Sequence, residues 1–150
     1  PFTVDGEAVD FPNTYTYRGM MYSGVPNLVS TFGYINASWT LRADLTSEWV
    51  CRLLQHMDDA AADRVVPQLR SEDSGMQTLP WIADFPAGYM QRVMHLFPNQ
   101  GTGPWRNTQD FALDKKTLRT EPVADSALVF SASAKDPADA EESQQAVSAG

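Results

Sequence analysis

The sequence predicts an α/β fold, and three observations carry that prediction. From Asn27 to Met57 a short apolar strand, a glycine-marked turn and one long amphipathic helix follow one another (NLVSTFGYINASWTLRADLTSEWVCRLLQHM). Short β-type stretches lie on either side of this unit. The 150 residues are 43% hydrophobic, which suffices for one domain, yet the strand material is too sparse to close a sheet. The fold is therefore expected to be incomplete on its own: strand, turn and long helix, followed by a helical and irregular extension.

The strand is expected over Asn27–Phe32, where β-branched and aromatic residues follow Val25-Pro26. Proline has no amide proton for a central ladder, so the strand begins after Pro26. Gly33 ends it. In the helix, Leu41, Leu45, Trp49 and Leu53 recur every four residues, and Val50, Leu54 and Met57 widen the stripe. Arg42, Asp44, Ser47, Glu48, Arg52 and Gln55 fall mostly between them, giving the 3.6-residue period of a helix with one buried face. Ser38 or Asn36 can supply the N-cap oxygen. Asp44 and Glu48 share a face, and Glu48 with Arg52 is a favourable pair one turn apart. The helix is expected to end near Asp58 or Asp59. Between Gly33 and Trp39 the chain must turn and present backbone N–H groups at a helix start. That terminus carries about half a positive charge and several unpaired donors. It suits an electron-rich oxygen such as a phosphate, a carboxylate or a ring carbonyl, and strand, turn and helix start is where α/β proteins hold such ligands.

Elsewhere the signals are weaker. Residues 1–14 are polar and turn-rich. A strand is expected near Tyr15 to Arg18 or at Met21-Tyr22, and a turn over Ser23 to Asn27. Arg64-Val65-Val66-Pro67 suits a short edge strand, Ser71 to Gln77 a loop, and Pro86 to Phe97 a second helix. A helical turn is expected within Asn107 to Leu113. Three regions result: 1–60 as the strand–helix unit, 61–125 as the extension, and 126–150 as a disordered acidic tail too poor in apolar side chains to offset its ordering entropy.

Lys and Arg number 11 against 19 Asp and Glu, a net charge of −8. That argues against nucleic acid, whose binding needs clustered basic residues. No run of about 18 apolar residues marks a transmembrane helix. Cys51 is the only cysteine, which excludes an intrachain disulfide and suits the reducing cytoplasm. Association with a membrane surface is left open. No GxxxxGK[ST] or GxGxxG string occurs, and Gly101-Thr102-Gly103 reads as a loop. His56 and His95 have no spaced partners for a metal site. Cys51, inside the helix without an activating histidine, reads as a buried structural thiol. Met20-Met21 is either core or the soft wall of a pocket, and Trp39 is either a core anchor or a pocket wall.

Three strings carry more specific information: Tyr17-Arg18-Gly19-Met20-Met21-Tyr22-Ser23-Gly24-Val25-Pro26-Asn27-Leu28, then Phe32-Gly33-Tyr34-Ile35-Asn36-Ala37-Ser38-Trp39-Thr40-Leu41, then Cys51-Arg52-Leu53-Leu54. Together they resemble the C-terminal part of class B flavin monooxygenases, and within them the subgroup of the ethionamide-activating mycobacterial enzyme. Ala87 to Arg92 and Gly103-Pro104-Trp105-Arg106 are similar to the same subgroup. The resemblance covers roughly residues 10–130.

The resemblance implies the C-terminal part of a fold with two dinucleotide-binding domains, in which residues 1–60 close the FAD domain. It implies FAD and NADPH as cofactors, O2 and a small organic molecule as substrates, and a C4a-(hydro)peroxyflavin that oxygenates a ketone (Baeyer–Villiger) or a sulfur or nitrogen atom. Gly33, Asn36, Ala37, Ser38, Trp39 and Thr40 then become flavin-neighbouring positions, with Met20, Met21 and Trp39 as substrate-pocket residues. A helix dipole at the flavin pyrimidine edge would favour negative charge on the reduced ring. The pyrophosphate fingerprint, the NADP motif and the catalytic residues of the family are not in these residues and are expected upstream. The chain is thus expected to be a fragment that neither holds FAD tightly nor turns over alone. The competing expectation is a non-catalytic α+β interaction module with an acidic tail.

Overall fold

A computed structural model describes residues 2–82 and 88–133. In chain order the elements are β1 (Thr3–Val4), β2 (Glu7–Ala8), β3 (Thr16–Tyr17), β4 (Met21–Tyr22), α1 (Trp39–Asp59), β5 (Arg64–Pro67), β6 (Leu79–Pro80), α2 (Gly88–Val93), β7 (Asn99–Gln100), α3 (Phe111–Thr120) and β8 (Leu128–Ser131). Among the described residues the strands form four two-stranded antiparallel sheets, β1 with β2, β3 with β4, β5 with β8 and β6 with β7. The result is a small α/β unit with short sheets.

Helix α1 organises the core. Arg42, Leu45, Thr46, Trp49, Leu53 and Met57 are its buried residues; Leu45, Trp49, Leu53 and Met57 recur every four positions, as the sequence pattern requires, with Arg42 and Thr46 on the same face. Leu45, Trp49, Leu53 and Met57 meet Tyr17, Met20 and Met21 of the second hairpin, Val65 of β5, Trp105, Leu118 of α3 and Leu128 of β8 in one cluster. Each fully buried Leu or Met there contributes about 2 kcal/mol of transfer free energy. The hairpin itself is set by Arg18 and Gly19, whose φ angles of 51° and 69° supply the left-handed pair of a type I′ turn. A Cβ on Gly19 would stand 3.0 Å from Asn107 Oδ1 and 3.1 Å from Arg42 Nη2. Glycine is therefore fixed there by space as well as by φ.

Several expectations change. Residues 28–34 form no ladder, although their composition is strand-like. A strand exists only through a partner, and no neighbouring strand among the described residues is aligned with them. Two isolated backbone contacts approach pairing: the Ser30 N–H donates to Met20 O at 2.8 Å, and Asn27 reaches β5. The Asn27 N–H donates to Val65 O (3.0 Å), its side chain accepts from Val65 N (2.9 Å) and donates to Asp63 O (2.9 Å), and the chain then leaves β5. Cys51 is exposed, not buried, because it falls off the Leu45–Trp49–Leu53 stripe. Leu54 is likewise exposed. Glu48 does not pair with Arg52. It takes Arg119 of α3 instead, at 2.6 and 2.7 Å, while Arg52 donates to the carbonyls of Leu118 and Glu121 at the end of α3. Two planar hydrogen bonds across the α1–α3 contact replace one flexible pair along a helix.

The edge strand expected at Arg64–Pro67 is present as β5. Its partner β8 lies inside the stretch expected to be an acidic tail, so residues 128–131 are ordered by pairing with β5. Residues 134–150 of that stretch lie outside the described residues. The second helix is shorter than expected, α2 followed by a 3₁₀ turn over Met94–Leu96, and the first two positions expected for it fall outside the described residues. The helical turn near Asn107 becomes α3, which starts later because Asp110 caps it by accepting from Leu113 N at 3.0 Å.

Candidate functional site

The turn before α1 and the first turn of α1 carry the residues singled out by sequence. Ser38 occupies the N-cap position with extended backbone, but no side chain caps the helix. Its hydroxyl is 2.8 Å from Thr40 Oγ1 instead. The first turn of α1 holds no acidic side chain. The positive end of a 21-residue helix is thus neither capped nor neutralised. Residues 35–40, including Asn36, Ala37, Ser38, Trp39 and Thr40, are all exposed. Gly33 is buried beneath them.

Trp39 stands at the mouth of this turn, 57% exposed, with one face on the Gly33 backbone. A Cβ at Gly33 would lie 2.3 Å from the Trp39 ring, so glycine is what allows the indole to lie flat on the turn. Trp39 also meets Phe32, with ring centroids 5.1 Å apart. Phe32 packs edge-on to Trp81 (6.1 Å) and to Phe97 (6.4 Å). The exposed indole is therefore the outer end of an aromatic wall, a surface suited to stacking a planar ring.

Met20 and Met21 lie elsewhere. Both are 0% exposed and belong to the core cluster around Tyr17 and Trp49. The structure does not bring them to the open face of Trp39. They fill the space between the hairpin and α1, a packing task that suits unbranched side chains. The described residues contain no group of His, Cys, Asp or Glu able to hold a metal ion, and no described helix is long and apolar enough to cross a membrane.

Behind the turn lies a buried polar cluster that local sequence patterns did not reveal. Arg42 Nη1 donates to Asp114 Oδ2 at 2.6 Å, and both side chains are almost fully enclosed. The Tyr34 hydroxyl donates to the same oxygen at 2.8 Å. Thr108 donates to the other carboxylate oxygen, and Arg42 Nη2 donates to Arg18 O in the hairpin turn. Asp114 therefore ties the turn, the first turns of α1 and α3 together. Burial, reinforced by the hydrogen bond to Asp114, raises the Tyr34 hydroxyl from near 10 to about 12. One signal could have found Arg42: it sits three residues before Leu45, on the apolar face of the helix and not between its stripes.

Comparison with known proteins gives the sequence relationship. No family model matches the chain, and no solved structure matches it. Over 129 residues the chain is 46% identical to the FAD-containing monooxygenase EthA of Mycolicibacterium smegmatis, a match covering 85% of this chain and 26% of that protein. Over 137 residues it is 44% identical to the FAD-containing monooxygenase EthA of Mycobacterium tuberculosis, covering 91% and 27%. The probable FAD-binding monooxygenase AlmA of Acinetobacter baylyi is 36% identical over 129 residues, covering 85% and 26%. The chain spans about a quarter of the length of these relatives, and by sequence it is homologous to that segment of FAD-containing monooxygenases.

Proposed function

We propose that this chain is the C-terminal part of an FAD- and NADPH-dependent monooxygenase that transfers one oxygen atom of O2 to a small organic substrate. The substrate class we favour is a ketone, in a Baeyer–Villiger insertion, with sulfur and nitrogen atoms as competing acceptors. The observation that carries this reading is the open, uncapped and unneutralised N-terminus of α1 beside an exposed indole, in a chain with monooxygenase relatives.

The residues fit one edge of a flavin. The backbone N–H groups at Ser38, Trp39 and Thr40 offer donors and positive potential to a ring carbonyl, and favour the anionic reduced ring over the neutral one. Trp39 covers a planar ring and excludes water from it. Gly33 keeps that indole low on the turn. When bound, FAD supplies the hydride acceptance and oxygen activation, which no protein side chain provides. The chain contributes position and electrostatics, and the pyrophosphate cradle comes from other residues of the protein.

The test uses the intact protein that carries this chain. It should purify yellow, consume NADPH and O2, and yield oxygenated product from a ketone panel more readily than from sulfides. Trp39→Ala should change substrate range or slow flavin reduction. The 150-residue chain alone should purify colourless. An intact protein that takes up no FAD sinks the proposal, and so does a Trp39→Ala variant with unaltered reduction kinetics and product pattern.

A further inference from the structure

Gln109 has an unusual backbone and an unusual set of contacts. Its φ is 51°, in the left-handed region that a residue with a Cβ enters only at a cost. Its side chain reaches across to the turn before α1. Oε1 accepts from the Ile35 N–H at 2.9 Å, and Nε2 reaches the Gly33 carbonyl at 3.4 Å. Nε2 also donates to Asn107 Oδ1 at 3.1 Å. Asn107 is itself anchored: its N–H donates to Gln100 Oε1 (3.0 Å) and its side chain donates to Trp81 O (3.2 Å). The strained residue thus links a buried, fixed asparagine to the two backbone groups that flank Tyr34.

We propose that Gln109 is a positioning residue: it clamps the Gly33–Ile35 backbone and so fixes where the exposed α1 N-terminus and Trp39 point toward the flavin. The proposal rests on the flavin reading above. Among the described residues no other side chain bonds this backbone, since α1 has no side-chain cap and the Asp114 cluster grips the Tyr34 side chain, not the backbone at 33 and 35. A strained φ retained by a non-glycine residue also has an explanation here, because only the side chain makes the bridge.

Two substitutions in the intact protein separate clamping from mere folding. Gln109→Gly relieves the backbone but removes the bridge, so the two effects oppose each other and thermal stability should change little. Amide hydrogen exchange over residues 33–38 of the flavin-depleted protein should nevertheless speed up, and the dissociation constant for FAD should rise about tenfold, the effect of losing roughly one net hydrogen bond. Gln109→Glu keeps an acceptor for the Ile35 N–H but sets its other carboxylate oxygen against the Gly33 carbonyl and Asn107 Oδ1, so it should restore only part of the protection. Unchanged exchange in Gln109→Gly overturns the clamp whatever happens to flavin. Faster exchange with unchanged FAD affinity overturns its role in aiming the site. A wild-type protein that takes up no FAD overturns the flavin reading, and the positioning role with it, by a measurement that does not involve Gln109.

Discussion

Removing the Asp114 carboxylate should be the most damaging single change to the described fold. In Asp114→Ala the Arg42 guanidinium, 4% exposed as a side chain, keeps its charge and loses its partner at 2.6 Å. Breaking a buried pair from one side costs about 3–5 kcal/mol, because the remaining charge stays out of water. The Tyr34 and Thr108 hydroxyls lose their acceptor at the same time. Each stranded group costs about 1 kcal/mol or more where water cannot reach it. These losses overlap, so a total of about 4 kcal/mol is expected, roughly a thousandfold in the folding equilibrium. Chemical denaturation of the intact protein, followed by tryptophan fluorescence and by exchange in α1 and α3, reads this out. The same physics makes a second demand. Arg42→Met with Asp114→Leu removes both charges together and should recover most of the loss. A cost below about 1 kcal/mol for Asp114→Ala, or a double variant no better than the single, would refute the claim that a stranded charge dominates.

Two further outcomes follow from the same region. Gly33→Ala should push the Trp39 ring off the turn, since the new Cβ would lie 2.3 Å from two atoms near the ring's attachment. We expect a loss of about 1–3 kcal/mol and faster quenching of the Trp39 fluorescence, assigned by comparison with Trp39→Phe. Stability should also fall on the alkaline side. Burial raises both Tyr34, to about 12, and Tyr17, further still, above an ordinary value near 10. The folded state therefore holds these protons more tightly than the unfolded chain. The stabilisation is complete below about pH 10 and is lost as the pH climbs through 12. Tyrosinate absorbance tracked with stability checks this, and a stability curve that stays flat over that range contradicts it.

What the sequence made legible was whatever one helix or one turn decides locally. The α1 stripe, the Arg64–Pro67 strand and the exposed turn before Trp39 all depend on residues within a few positions of one another. What stayed hidden depends on partners far along the chain. Arg42 finds Asp114 72 residues away, and Glu48 finds Arg119 71 residues away. Without knowledge of α3, Glu48 looks like an ordinary surface charge and Arg42 like a charge on the apolar face with no partner in sight. Residues 28–32 have strand composition, but a ladder is a property of two segments. The last strand, Leu128–Ser131, was masked by the acidic composition that follows it, although its Leu-Val-Phe core reads as β-type once β5 stands beside it.

The division between the two faces of the turn explains how a site can be open and still well aimed. In front, Ile35 to Thr40 leave the helix end uncapped, which an isolated helix would answer by fraying. Behind, α3 and the loop before it hold the same turn at the Tyr34 hydroxyl through Asp114 and at the Ile35 amide through Gln109. A local cap on α1 would have steadied the end at the expense of the donors it presents. Supplying rigidity from behind leaves those donors free. On the flavin reading proposed above, the residues that aim the site are ones that never face it: substitutions at 109 should act through the backbone that Gln109 holds, and those at 42 and 114 through the Tyr34 side chain.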